Sequence, residues 1–281
     1  MSTQVNPSDS FKSFLKDFMT GGLSGAVTVA ALQPMIYYKN LSQARSLEQA
    51  GQSSSSTKIT WNPRVWYRGA GGFAASFAPT IALQTAANSV FSNWVSPLAA
   101  ACLSGAFSSI VVNPAELIMI QQQRTGSSFA ATLKALARTG GISVFFRGLP
   151  FTAGREATFT GAYLGSTPHL KEKFQKLGAG PGPAHVAAAV ISGLFAALFS
   201  QALDTHKTRI MRDLNYQEKF TRMLFTKEAF AGMGWRFAMI VTATTALPLI
   251  QEKIKKTIEM AAVSKMRMAN SASALSRSRR K

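Results

Sequence analysis

Long uncharged stretches alternate with polar, basic segments along the chain. No Asp, Glu, Lys or Arg occurs from Phe18 to Tyr38, from Gly69 to Ala115, or from Leu177 to Leu203. A membrane-spanning helix needs roughly 20 mostly apolar residues, so each stretch is long enough to cross a bilayer and the middle one to cross twice. Helices buried in soluble proteins run about 8–20 residues. The pattern predicts an all-α membrane protein.

Two markers recur in step. A glycine stands nine residues before the second member of a helix-end pair: Gly25 before Gln33-Pro34, Gly105 before Asn113-Pro114, Gly193 before Gln201-Ala202. An aromatic residue stands two before a glycine in Tyr67-Arg68-Gly69, Phe146-Arg147-Gly148 and Phe230-Ala231-Gly232. The first marker repeats after 80 and 88 residues, the second after 79 and 84. Such periodicity signals a repeated supersecondary unit that cannot bury its faces alone. Each unit reads as an apolar helix ending near the Pro or Ala position, then a polar connection, serine-rich at Ser53 to Ser56 in the first unit. A second, more polar helix opens at the aromatic-x-Gly. Small residues suited to close helix approach in lipid lie at Gly22 with Gly25, Ser104 with Gly105, and Ser192 with Gly193. The expectation is one domain over 1–281, with six transmembrane helices in three pseudo-threefold repeats. The repeats cover about 12–97, 98–178 and 183–260, and 261–281 forms a basic tail.

Charge refines this picture. The 281 residues hold 31 Lys+Arg against 12 Asp+Glu, a net charge of +19, yet only 15% are charged, where soluble domains carry about 25%. The bases fall between and after the apolar stretches, as Lys and Arg flank membrane spans. They form no zinc-finger spacing or basic helix ahead of heptads, so no nucleic-acid partner is expected. Cys102 is the sole cysteine, which excludes an internal disulfide and a cysteine metal cluster. His169, His185 and His206 lack metal-ligand spacing. With no nucleophile–base–acid constellation or phosphate loop, the chain is not expected to be an enzyme or to hold a metal. Met1 to Phe14 shows neither an apolar signal core nor an Arg-rich presequence.

The helix ends carry a partial charge code. They read Pro34-Met35-Ile36-Tyr37-Tyr38-Lys39, Pro114-Ala115-Glu116-Leu117-Ile118-Met119 and Ala202-Leu203-Asp204-Thr205-His206-Lys207. These segments resemble the P-x-[DE]-x-x-[KR] motif of the mitochondrial carrier family, and with the repeats the resemblance covers nearly the whole chain. It implies short amphipathic helices on the matrix side, and a ring in which the acid of one repeat pairs with the base of the next to close that side. Glu116 would then face Lys207, and Asp204 would face Lys39. The third pair would be Ile36 with Met119, both apolar. Losing both charges together avoids the cost of an uncompensated one. Gln43 and Gln123 fall at the family's bracing position, where the third unit has Met211. At the opposite, cytoplasmic gate the match is weak, with Lys171, Glu252 and Lys255 as the charged candidates. Two matrix pairs against at most one outer pair predict a resting bias toward the form open to the cytoplasm.

The resemblance also implies a solute site about seven residues past each turn glycine, at Ser76, Arg155 with Glu156, and Met239. Arg236 could add a cation, and Gln84, Thr80 and Thr28 are further candidates. An Arg–acid pair at the second contact point looks like the amino-acid branch of the family. It suits a small anionic or zwitterionic metabolite moved by alternating access. A competing cue, Ala78-Pro79-Thr80 with Ala82-Leu83, is similar to ADP/ATP carriers, while a transport-inactive scaffold or receptor is the other alternative. Gly69, Gly148 and Gly232, with Arg68 and Arg147, look like the family's cardiolipin sites, where helix-terminal N–H groups receive a phosphate. The turn with Ala231 is expected to be the weakest. No cofactor is implied beyond such a lipid. The resemblance further implies a multi-pass monomer of the mitochondrial inner membrane, with both termini toward the intermembrane space.

Overall fold

The computed structural model describes residues 7–49, 60–217, 219–224 and 226–242, with positions 253, 256, 257 and 260. The serine-rich connection, Glu252, Lys255 and the basic tail lie outside the described residues, as do the surroundings of Gly22 and Gly25. Among the described residues there is no strand. The helices are α1 (Pro7–Gln49), α2 (Pro63–Trp66), α3 (Ala70–Phe91), α4 (Pro97–Thr125) and α5 (Phe129–Gly140). They continue with α6 (Leu149–Thr160), α7 (Thr167–Lys176), α8 (Pro181–Arg212), α9 (Phe220–Met223) and α10 (233–242). A π-helical turn, Gly161–Ser166, joins α6 to α7.

Local chemistry sets these boundaries. Pro97 and Pro181 occupy the first turns of α4 and α8, where a missing N–H costs nothing. Ser96 and Ser128 cap α4 and α5 by accepting from the N–H groups of Ala99 and Ala131. Gly126, with φ 72°, closes α4 in the left-handed conformation.

The long helices do not end where the sequence reading placed their ends. They run through Pro34, Pro114 and Ala202 to Gln49, Thr125 and Arg212. A proline removes one intrahelical hydrogen bond and bends the axis, but it does not stop a helix whose next turns are held by packing. Those turns are held: Leu117, Ile118, Met119 and Ile120 on α4 are all buried, as are Thr205, Thr208 and Met211 on α8.

Helix α3 packs on α1 and α4, α4 on α6, α6 and α7 on α8, and α8 on α1. Helix α10 lies against α8, where a methyl on Gly193 would come 2.7 Å from Ile240. It also lies against α1, where Tyr38 stacks on Trp235 at 5.1 Å between ring centroids. The main apolar cluster joins Val29 and Ile36 of α1, Phe73 of α3, Leu117 and Ile120 of α4, and Met211 of α8. Among the described residues, α4 and α8 are helices long and apolar enough to cross a membrane. Their outer faces expose Leu103, Phe107 and Ile110 on α4, and Phe195, Leu198 and Phe199 on α8. Apolar stripes of that kind call for a non-aqueous neighbour.

Two glycines at the start of α3 test how tightly the turn before it is built. A methyl on Gly69, whose φ is 78°, would lie 2.7 Å from the Met119 Cα, whereas one on Gly71 would meet nothing within 4 Å. Gly69→Ala is expected to destabilise the purified protein by about 1–3 kcal/mol. Gly71→Ala should be neutral or slightly stabilising, since alanine favours the helix by ~1 kcal/mol. Thermal unfolding of both variants checks the contrast.

Candidate functional site

The site rests on three similar turns. Gly69, Gly148 and Gly232 have φ values of 78°, 79° and 77°, a region glycine enters without a Cβ penalty. Each turn is held by a fully buried amide from the long helix before it. Gln33 Nε2 donates to the Trp66 carbonyl at 3.0 Å, and Gln201 Nε2 to the Ala231 carbonyl at 2.9 Å. Asn113 Nδ2 donates to the carbonyls of Phe145 and Arg147 at 2.8 and 3.2 Å. A turn carbonyl in apolar surroundings needs such a donor. The sequence reading used these three amides as repeat markers and gave them no role; their shared position before Pro34, Pro114 and Ala202 was the available signal.

Each turn then borders the next long helix. Methyls placed on Gly69, Gly148 and Gly232 would lie 2.7 Å from Met119 Cα, 3.6 Å from Lys207 Cγ and 3.0 Å from the Lys39 carbonyl. These are the last residues of the three helix-end segments, and the succession passes from α4 to α8 to α1.

Where the segments meet, Lys39 Nζ lies 2.8 Å from Asp204 Oδ2, and Lys207 Nζ lies 2.8 Å from Glu116 Oε2. Lys207 also approaches Asp204 Oδ1 at 3.2 Å. Gln43 Nε2 donates to Asp204 Oδ2 at 2.9 Å. Ile36 and Met119 are buried in the main apolar cluster beside these charges. Gln123 accepts from Asn40 Nδ2 at 2.9 Å and braces no ion pair among the described residues.

Arg155 joins this group, although the sequence reading kept it apart as a solute contact. Its Nη2 lies 3.0 Å from Glu116 Oε1 and pairs with Glu156, while Nη1 is 3.8 Å from Asp204 Oδ1. An arginine is long enough to reach across a helix interface to a second carboxylate, which residue spacing does not reveal. Arg236 donates to Gln201 Oε1 at 3.0 Å and Ser200 Oγ at 2.6 Å, lies 3.7 Å from Asp204, and sits over the Phe159 ring at 5.0 Å. Two of its five N–H groups thus donate within the protein. Four cations and three carboxylates form one connected cluster, buried except for Arg155 and Glu156, which are half-buried. Ions so placed need mutual compensation, because taking each from water costs several kcal/mol.

Two cavities meet at Arg155. The larger, about 250 Å³, lies among α3, α4 and α6 and is lined by Ser76, Thr80, Gln84, Glu156, Phe159 and Thr160. The smaller, about 160 Å³, reaches Thr28, Ile36, Lys39, Glu116, Met119, Lys207 and Met239. Phe73, Phe77 and Arg155 border both. Gln84 Nε2 donates to Ser108 Oγ at 3.0 Å and to Glu156 at 3.4 Å. The hydroxyls of Ser76 and Thr80 donate back to carbonyls of their own helix. Lys171 lies on α7, away from the cluster, and the acid Glu252 expected to face it is outside the described residues. At the turns, Arg147 donates to the Tyr216 carbonyl at 3.2 Å, and the Arg68 guanidinium lies against Gly126. His206, buried, is ringed by Phe151, Tyr216 and Phe220.

Helices that bracket a charged, partly hollow centre and turn apolar faces outward define a class of membrane-embedded helical proteins. Residues 90–178 match the family of mitochondrial carrier proteins. The chain is 34% identical over 130 residues to mitochondrial uncoupling protein 6 of Arabidopsis thaliana, covering 42% of this chain and 39% of that one. It is 27% identical over 175 residues to mitochondrial uncoupling protein 2 of the same plant, covering 56% and 57%. A probable mitochondrial 2-oxodicarboxylate carrier of Dictyostelium discoideum is 23% identical over 218 residues, covering 70% and 73%. The chain thus spans 39% and 57% of the length of the two uncoupling proteins. Over residues 90–178, and more weakly along a longer part of its length, the chain is similar to mitochondrial carrier proteins.

The cluster makes a stability prediction. Asp204→Asn removes the carboxylate that Lys39 and Lys207 share and should cost about 3–5 kcal/mol, as when one partner of a buried pair is deleted. Ile36→Val, in the apolar sector of the same level, should cost only about 0.5–1.5 kcal/mol. Chemical or thermal unfolding in detergent measures both.

Proposed function

We propose that the chain is a transmembrane carrier of the mitochondrial inner membrane that moves a small carboxylate-bearing solute by alternating access. Its six membrane helices form three repeats about a pseudo-threefold axis, over about 12–97, 98–178 and 183–260. The turn glycines support this order, since each borders the next long helix in cyclic succession. In this reading Lys39–Asp204 and Glu116–Lys207, with Ile36 and Met119 as an apolar third contact, close the matrix side. Lys171, Glu252 and Lys255 belong to the cytoplasmic side, and both termini face the intermembrane space. The protein acts as a monomer. The turns at Gly69 and Gly148, with Arg68 and Arg147, take a cardiolipin phosphate, and the turn at Gly232 does so more weakly.

The observation that carries the solute class is the charge count at the centre: one cation in excess, with Arg155 exposed to the larger cavity. An entering carboxylate neutralises that excess. Glu156 and Gln84 face the same cavity and give an ammonium or hydroxyl group its partner, which favours an amino-acid-like molecule. Small-molecule pockets usually enclose about 300–1,000 Å³. A cavity of about 250 Å³ suits such a metabolite better than a nucleotide. The 2-oxodicarboxylate named in one relative is of similar size but carries two carboxylates and no ammonium, and is the first competitor to test.

In proteoliposomes, exchange of labelled amino acids should exceed that of nucleotides. Arg155→Ala should lower the rate roughly 30-fold or more, the equivalent of ~2 kcal/mol. Glu116→Lys should abolish exchange, and adding Lys207→Glu should restore part of it. Failure of the pair to rescue sinks the gate assignment. Preferred exchange of nucleotides sinks the solute class, and absence of exchange with any solute favours a scaffold or receptor.

A further inference from the structure

A third cavity, about 680 Å³, lies on the outer side of the helices rather than at their centre. It runs between α4, the π-helical turn with α7, and α8, and it shares no lining residue with the central cavities. The turn that bounds it is tightly built: methyls on Gly161 and Gly165 would come 2.6 Å from Cys102 Sγ and Leu98 Cδ1. Small residues such as Ala157, Ala162 and Ala196 leave the groove its width, while Leu98, Phe195 and Phe199 form an exposed apolar rim. π-Helical turns are rare and often mark functional sites.

The polar groups on this groove are placed unevenly. His169, in the first turn of α7, and Lys173, in its last, stand one helical turn apart on the face that lines the groove. Ser192 lies within the groove on α8, is 4% exposed, and its Oγ has no hydrogen-bond partner among the described residues. Other buried serines of the long helices are satisfied. Ser104, Ser108 and Ser109 on α4 and Ser200 on α8 all donate to carbonyls three or four residues back. A hydroxyl left unpaired in apolar surroundings costs about 1–3 kcal/mol, so the Ser192 site calls for an acceptor brought by an occupant.

We propose that this groove binds one anionic glycerophospholipid, with its phosphate at Lys173 and His169, an ester carbonyl accepting from Ser192, and an acyl chain against the apolar wall. The assignment rests on the reading of α4 and α8 as membrane helices, but not on transport. Charge complementarity favours an anionic head, since α7 carries Lys171, Lys173 and Lys176 against Glu172. The buried hydroxyl favours a phospholipid over a free fatty acid, because a fatty acid held by its carboxylate at Lys173 brings no second acceptor further in. The site differs from the aromatic-x-Gly turns, whose residues lie on none of its walls.

Cys102, the sole cysteine, lines the groove and reports on it directly. The full-length protein, stripped of lipid in detergent, is titrated with dioleoyl phosphatidylglycerol. Maleimide modification of Cys102 and native mass spectrometry are followed together. One retained lipid and a roughly tenfold slower modification are expected, the scale of one charge-assisted hydrogen bond. Protection should weaken severalfold in Lys173→Glu and in Ser192→Ala, each compared with and without lipid. Ser192→Ala removes a single oxygen and keeps the test intact if Lys173→Glu does not fold. Equal protection by phosphatidylcholine or by oleate overturns the proposal, as does protection unchanged in both variants. Solute flux enters neither readout, so a chain that transports nothing leaves this test standing.

Discussion

Everything at the centre of this protein is organised around one carboxylate. Asp204 is within 4 Å of charged groups from α1, α6, α8 and α10: Lys39, Arg155, Lys207 and Arg236. At such separations and an effective dielectric of about 20, each unit charge pair is worth roughly 4–6 kcal/mol before desolvation is subtracted. Removing water from these ions costs a comparable amount, so the cluster holds only because its members compensate one another. That balance fixes how the helices approach each other, because a shift of an ångström or two at any one helix leaves a buried ion short of its partner.

The third sector is satisfied in a different way. Ile36 and Met119 pack into the apolar cluster at the level where α1 and α8 meet through Lys39 and Asp204. Apolar contact needs no partner of opposite charge and tolerates small displacements, whereas the ion pairs are directional. The packing is therefore uneven around the centre, with ion pairs on two sides and apolar contact on the third. Arg155 adds a coupling, since it borders the larger cavity while its guanidinium reaches Glu116. A ligand that engages Arg155 from the cavity draws on the same charge that steadies Glu116.

The turns supply the rigidity that this balance needs. A left-handed glycine turns the chain sharply, a buried amide satisfies the turn's carbonyl, and the glycine surface lets the next helix come into contact. All three devices recur three times, although the side chains facing them differ: Met119, Lys207 and Lys39.

The residues alone were sufficient to show long uncharged stretches, a threefold recurrence of markers, glycines at tight turns and a partial charge code after Pro34, Pro114 and Ala202. These properties are local, written in composition and spacing. The helix ends were misplaced, because a proline signals a break in isolation while burial of the following turns keeps the helix going. The reach of Arg155 to Glu116 was equally hidden, as was the role of Gln33, Asn113 and Gln201 as turn anchors. Those features depend on which side chains from distant parts of the chain arrive within 3–4 Å of one another. Long-range electrostatic and hydrogen-bond partners are chosen by packing, and packing exists only in three dimensions.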